Sequence, residues 1–210
     1  MADWATIATL ATAGGTMVLA AATFASVRSA NRAARTAERA LLAQIRPVLV
    51  PSRFEDPMEK VGFMDDKWLK VEGGRAAAEA TTDAVYLAMA LRNVGSGIAV
   101  LDRWDFYPER VLNPTPHRET EDFRRLTRDL YVPPGDVGFW QGAFRQQDDH
   151  AFAEAAAAIR ERRPMTIDVL YGDHEGGQRT ITRFALIPRP DGGWITSVAR
   201  HWNIDRPDPR

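Results

Sequence analysis

Between Ala5 and Val27 the chain runs 23 residues without an ionisable side chain. As a helix rising 1.5 Å per residue, that stretch is roughly 34 Å long, enough to cross a hydrocarbon layer of about 30 Å. Trp4 and Arg28 flank it where interfacial anchors belong. It is rich in Ala and Thr rather than Leu and Ile, so insertion is only modestly favourable, and the Thr hydroxyls need carbonyls of the preceding turn as partners. A cleaved signal peptide fits less well, because Asp3 precedes the run and no cation does. A soluble alanine-rich helix buried in an oligomer is the other competitor. Length and freedom from charge favour a single-pass anchor over residues 1–27 that contacts membrane lipid through residues 5–27.

The formal net charge of −1 hides a division along the chain. Residues 28–46 carry five arginines against Glu38, whereas the remaining 164 residues hold 22 basic and 26 acidic groups. The neck has no Pro or Gly before Pro47 and several alanines, so it extends the anchor as a helix that stops near Arg46-Pro47. Arg28, Arg32, Arg35 and Arg39, spaced 4, 3 and 4, share one face. They are the candidate contacts to anionic lipid headgroups, worth up to about 1 kcal/mol each near the surface. Since the arginines follow the apolar run, the positive-inside bias places the N-terminus outside and the rest in the cytoplasm. A weaker stripe of Ala30, Ala34, Ala37, Leu41 and Ile45 leaves a homo-oligomer possible, though alanine-dominated heptads make a poor seam.

Residues 47–210 read as one mainly β, antiparallel domain of sandwich type. Val85, Leu87, Met89 and Leu91 alternate with smaller residues, as in a half-buried strand. Further strands are expected at Val48–Val50, from Ile98 to Phe106, from Val137 to Phe144, at Ile167–Tyr171, from Thr180 to Ile187 and from Trp194 to Trp202. Turn residues separate them, and no βαβ rhythm is present. Residues 151–163 form an amphipathic helix, with aspartates before it, arginines at its end and Pro164 to stop it. Gly73-Gly74 to Ala80 reads as a flexible loop, and residues 117–130 fit a helix or an irregular crossover.

Arg46-Pro47-Val48-Leu49-Val50-Pro51, and Leu91-Arg92-Asn93-Val94-Gly95-Ser96-Gly97-Ile98-Ala99 after a strand, complete a pattern. With the preceding helix, this architecture resembles a diffuse group of bacterial membrane-anchored proteins without an agreed activity. The resemblance implies an immunoglobulin-like body and an inner-membrane location. It carries no catalytic residues.

Chemistry-bearing motifs are sparse. With no cysteine, thiolate sites are excluded. Gly95-Ser96-Gly97 lacks the third glycine of a dinucleotide loop, and no nucleophile elbow exists. Asp173-His174-Glu175 is the best local ligand cluster. Neighbours on a strand point to opposite sides, so a solvated hairpin is the expected use and no metal site or cofactor is assigned. Asp148-Asp149-His150 reads as a helix cap. The body's tryptophans are expected in the core, while a cluster of them on one open face would mark a ligand groove. An acidic body argues against nucleic acid as a partner. Three classes remain: a membrane-tethered module that binds a protein or ligand, a tethered hydrolase, and a helix that perturbs or assembles in the membrane through Ala11 and Gly15. With no catalytic constellation in view, the non-catalytic binding module is favoured.

Overall fold

The computed structural model describes residues 3–112, 115–145 and 149–206. The chain forms two compact units, one ending at Gln44 and the other beginning at Ile45. The first is a single helix, α1, Trp4–Gln44, so anchor and neck are one uninterrupted element of 41 residues. Its threonines are satisfied locally: Thr12, Thr16 and Thr23 donate to Ala8 O, Thr12 O and Leu19 O at 2.9, 2.9 and 2.7 Å. Large apolar side chains such as Leu10, Met17, Leu19 and Phe24 are exposed along it. It is the one helix among the described residues long and apolar enough to cross a membrane.

The helix stops two residues before the expected Arg46-Pro47, and the reason is tertiary. Ile45 and Arg46 belong to the body, where Arg46 O accepts from Ser96 N at 3.0 Å and Gly97 N at 3.4 Å. The contact is tight enough to demand glycine: a Cβ on Gly97 would lie 1.7 Å from Ile45 O, and one on Gly95 2.3 Å from Arg46 O. Asn93 ties the same junction from below, fully buried. Its Oδ1 accepts from Val48 N and Gly95 N, and its Nδ2 donates to Gly97 O and Val132 O. The Arg-Pro and Asn-x-Gly-x-Gly motifs are therefore two halves of one contact.

In chain order the strands are β1 (Leu49–Pro51), β2 (Glu59–Gly62), β3 (Trp68–Val71), β4 (Arg75–Ala80), β5 (Val85–Asn93), β6 (Ala99–Tyr107), β7 (Arg124–Val132), β8 (Val137–Phe144), β9 (Met165–Gly172), β10 (Thr180–Pro188) and β11 (Trp194–Asn203). Nine of them make one antiparallel sheet in the order β1-β5-β4-β11-β10-β9-β6-β7, with β8 on the other side of β5. The sheet curls around a main core that includes Leu87, Met89, Trp104, Trp140, Ile167 and Phe184. The helix α2 (His150–Arg160) packs Ala155, Ala156 and Ala158 into that core. Asp149 caps it through Ala151 N at 3.0 Å, as expected. It ends three residues earlier than expected because Arg162 takes a left-handed backbone, φ 55°. From there Arg162 donates to Arg189 O, Gly192 O and Gly193 O.

Several expectations need correction. β5 is not half-buried: its other face, Tyr86, Ala88 and Ala90, packs under the separate β2–β3 hairpin with Val61, Leu69 and Val71. Residues 75–80 form strand β4, in register with β5 from Ala76↔Met89 to Ala80↔Val85, rather than a loop. Residues 117–130 are neither a long helix nor irregular. They hold a single 3-10 turn, Thr120–Asp122, followed by most of β7.

Candidate functional site

On α1, Arg28, Arg32, Arg35 and Arg39 fall within an arc of about 60° at 100° per residue. All four are exposed, and among the described residues none meets a carboxylate. Ala30, Ala34, Ala37 and Leu41 occupy the opposite arc, so the basic face is one-sided. Gly15 has open space around a would-be Cβ, while the side chain of its proposed companion Ala11 lies outside the described residues.

The body contains a charge ladder that sequence reasoning missed. Asp105, Asp168, Arg183 and Arg200 stand directly opposite one another across β6, β9, β10 and β11. They lie on the face away from the main core. Arg183, 1% exposed, grips Asp168, 0% exposed, with Nε and Nη2 at 2.7 and 2.6 Å. Its remaining capacity goes to Thr115 O and Pro116 O in the connection between β6 and β7. From that connection Arg118 reaches back to both Asp105 oxygens, at 2.9 and 3.2 Å. Tyr107 and Trp202 flank the Arg183 guanidinium at 5.2 and 4.8 Å, and His117 meets Trp202 edge-on.

Paired carboxylates, a tyrosine and arginines in one place resemble catalytic equipment, but Arg118 and Arg183 take up the Asp105 and Asp168 carboxylates, while the buried Tyr107 hydroxyl has no hydrogen-bond partner among the described residues. Burial pushes the Asp168 carboxyl above the ordinary carboxylate range, with Arg183 opposing it. Burial, then the charges of Asp168 and Asp105, pushes the Tyr107 phenol up to about 12. The arrangement clamps a crossing segment onto the sheet. Part of the signal was available: Asp105 and Tyr107 alternate with Trp104 and Phe106 in β6, and Thr166 and Asp168 alternate with Met165, Ile167 and Val169 in β9.

The histidine motifs have structural uses. The Asp173 carboxylate accepts from Glu175 N at 3.0 Å, Gly177 N at 2.9 Å and Gln178 Nε2 at 3.2 Å, so it organises the hairpin turn. His174 turns outward and pairs with Glu175. Asp148 lies outside the described residues. His201 pairs with Thr182 at 2.7 Å. Among the described residues no three metal-capable side chains converge. Four of the five body tryptophans, Trp104, Trp140, Trp194 and Trp202, are buried. Trp68 is 65% exposed and lies flat on Gly62.

A concavity of about 590 Å³ lies between β4, α2 and the turn at Asp191–Gly193. Its floor is Ala76, Ala77 and Ala78, with Leu69, Ile159 and Trp194 beside them. Ala76 and Ala78 face the main core and Ala77 the β2–β3 side, and their small side chains leave space along the strand that larger residues would fill. Several charged rim groups are engaged: Arg75 with Glu72 and Asp191, both at 3.0 Å, Glu79 with Lys67, and Arg162 with carbonyls and the Trp194 ring. The groove is thus lined by small and apolar residues with charged groups around its rim. The chain matches no family model, no curated protein and no solved structure.

Proposed function

We propose that this chain is a membrane-tethered, non-catalytic binding module of a bacterial inner membrane. α1 crosses the bilayer once, with the N-terminus outside. Its four arginines lie at the cytoplasmic headgroups, and the β body presents the alanine-floored groove to a protein or ligand in the cytoplasm. The observation that carries this reading is the construction of α1: a charge-free, exposed apolar half continuing without a break into a one-sided arginine face. Tethering raises the local concentration of any membrane-bound partner, so a shallow groove suffices for useful affinity. The kinship with bacterial proteins bearing immunoglobulin-like bodies belongs to the same proposal, and the antiparallel sheet curled around its main core supports it.

The chain has no cysteine, so one introduced cysteine reports topology without background. In intact spheroplasts Asp3→Cys should react with a membrane-impermeant maleimide. Glu119→Cys, on the exposed surface of the body, should react only after permeabilisation. Labelling of Glu119→Cys from outside would reverse the orientation.

A further inference from the structure

β7 and β8 follow each other in sequence, joined only by the Pro133–Asp136 turn, and yet they do not pair. The ladder partner of β7 is β6, and that of β8 is β5. β7 and β8 end the strand order and lie side by side at the turn and around one pocket, so their free edges face each other as a gap in the curled sheet. At the turn the gap is pinched: Asn93 Nδ2 holds Val132 O, and a Cβ on Gly138 would lie 2.9 Å from the Val132 side chain. At the other end it widens into a pocket of about 120 Å³ between Arg124–Thr127 and Gln141–Ala143, with Trp104 and Phe63 as apolar walls.

Two features make this gap more than an imperfect closure. Gln141 lines the pocket, is 3% exposed, and its Oε1 is buried without a hydrogen-bond partner. An unsatisfied buried acceptor costs about 1–3 kcal/mol, so its retention here marks a place where a donor belongs. The second is charge. β7 carries Arg124, Arg125 and Arg128 against Asp129, and β8 carries no charge at all. Arg124 is engaged by Asp149 at 2.7 Å. Arg125 and Arg128 are exposed, and among the described residues neither has a carboxylate partner, although Arg128 lies over the Phe139 ring of β8 at 5.3 Å and must swing off it to meet a ligand. Self-pairing of two copies through this edge would stack those arginines against one another, which disfavours a second copy as occupant.

We propose that the β7–β8 gap is a docking site for an extended acidic peptide segment of a partner protein. The segment adds its backbone to the free β7 edge, presents carboxylates to Arg125 and Arg128, and sends one side chain into the pocket to donate to Gln141 Oε1. Strand addition supplies main-chain hydrogen bonds without sequence preference, while the arginines and Gln141 supply the selectivity. This deepens the binding-module reading by naming its partner class, and it places that partner at a second site, away from the alanine-floored groove.

The test uses the full chain in zwitterionic detergent micelles and a fluorescein-labelled, blocked peptide that alternates glutamate with threonine, whose hydroxyl can donate to Gln141 Oε1, read by anisotropy. One peptide per chain should bind saturably, and the same peptide with lysine in place of glutamate should not. Arg125→Glu, an exposed change, should weaken binding about tenfold or more. Gln141→Leu, which removes the orphaned acceptor at similar volume, should weaken it about fivefold. Arg110→Glu, an exposed change elsewhere on the body, should leave the affinity unchanged, which separates the gap from general attraction to arginine. The proposal is overturned by absence of saturable binding, by affinity indifferent to both body variants, or by self-association of the unliganded chain that Arg125→Glu abolishes. The membrane reading is tested without any peptide, by topology and extraction, so the two can fail separately.

Discussion

Asn93→Ala removes four hydrogen bonds from a site with no solvent access, and its cost follows from what is left behind. Val48 N and Gly95 N lose their acceptor, at 3.1 and 2.9 Å, while Gly97 O and Val132 O lose their donor, at 2.6 and 2.9 Å. With a net contribution near 1 kcal/mol per bond, and more where a buried group stays unpaired, the body should lose about 3–5 kcal/mol. Asn93→Asp sharpens the test. One carboxylate oxygen can still accept from Val48 N and Gly95 N, but the other then faces two carbonyl oxygens. Protonation restores a donor, so the folded state raises the pKa of the new carboxyl. Stability relative to wild type should then fall as pH rises through that raised value, and recover on going from pH 7 towards about pH 5. Denaturant unfolding of the full chain, followed by fluorescence of the buried tryptophans, measures both. An alanine cost below about 1 kcal/mol, or an aspartate cost that ignores pH, would refute the account of this junction.

Two further expectations concern the charge ladder. Arg183→Met alone strands Asp168 and the two strap carbonyls, and should cost about 3–5 kcal/mol, whereas Arg183→Met with Asp168→Leu should recover much of it. Equal destabilisation in the single and double variants would contradict the pairing. At alkaline pH the Tyr107 phenol, near 12 in the folded state against about 10 unfolded, holds its proton longer when folded. Stability should therefore fall as pH climbs from about 10 towards 12, and less steeply in Tyr107→Phe, where the remaining slope belongs to Tyr86 and Tyr171. Denaturation midpoints at two pH values above 9 decide it.

What the sequence made legible depended on how strongly each segment was patterned. The charge-free run, the arginine row and the strands with Val, Ile, Leu and aromatic residues at every second position were readable, as was the Asp149 cap. β4 was not, because Gly73-Gly74 followed by alanines lacks the branched residues that mark a strand, and it is held by neighbours on both sides. β2 and β3 are four residues each, with lysines opposite one another at Lys60↔Lys70, so they show little strand character alone. β7 read as a helix or an irregular crossover because Phe123, Leu126 and Leu130 suit a helical spacing and its arginines and threonine mask the strand. Gly95 and Gly97 were read as turn residues, whereas their need for glycine comes from a backbone about fifty positions away. The charge ladder was hidden for a related reason, since its members become neighbours only once β6, β9, β10 and β11 are in register.

The central claim is that α1 holds the chain in a bilayer. Alkaline carbonate washing of membranes from cells that express the full chain tests it directly. Integration by the charge-free half of α1 predicts that the intact protein stays in the pellet, and that Leu19→Arg, placing a charge at the centre of that half, shifts a large fraction to the supernatant. Release of the intact wild-type chain by carbonate would contradict the account.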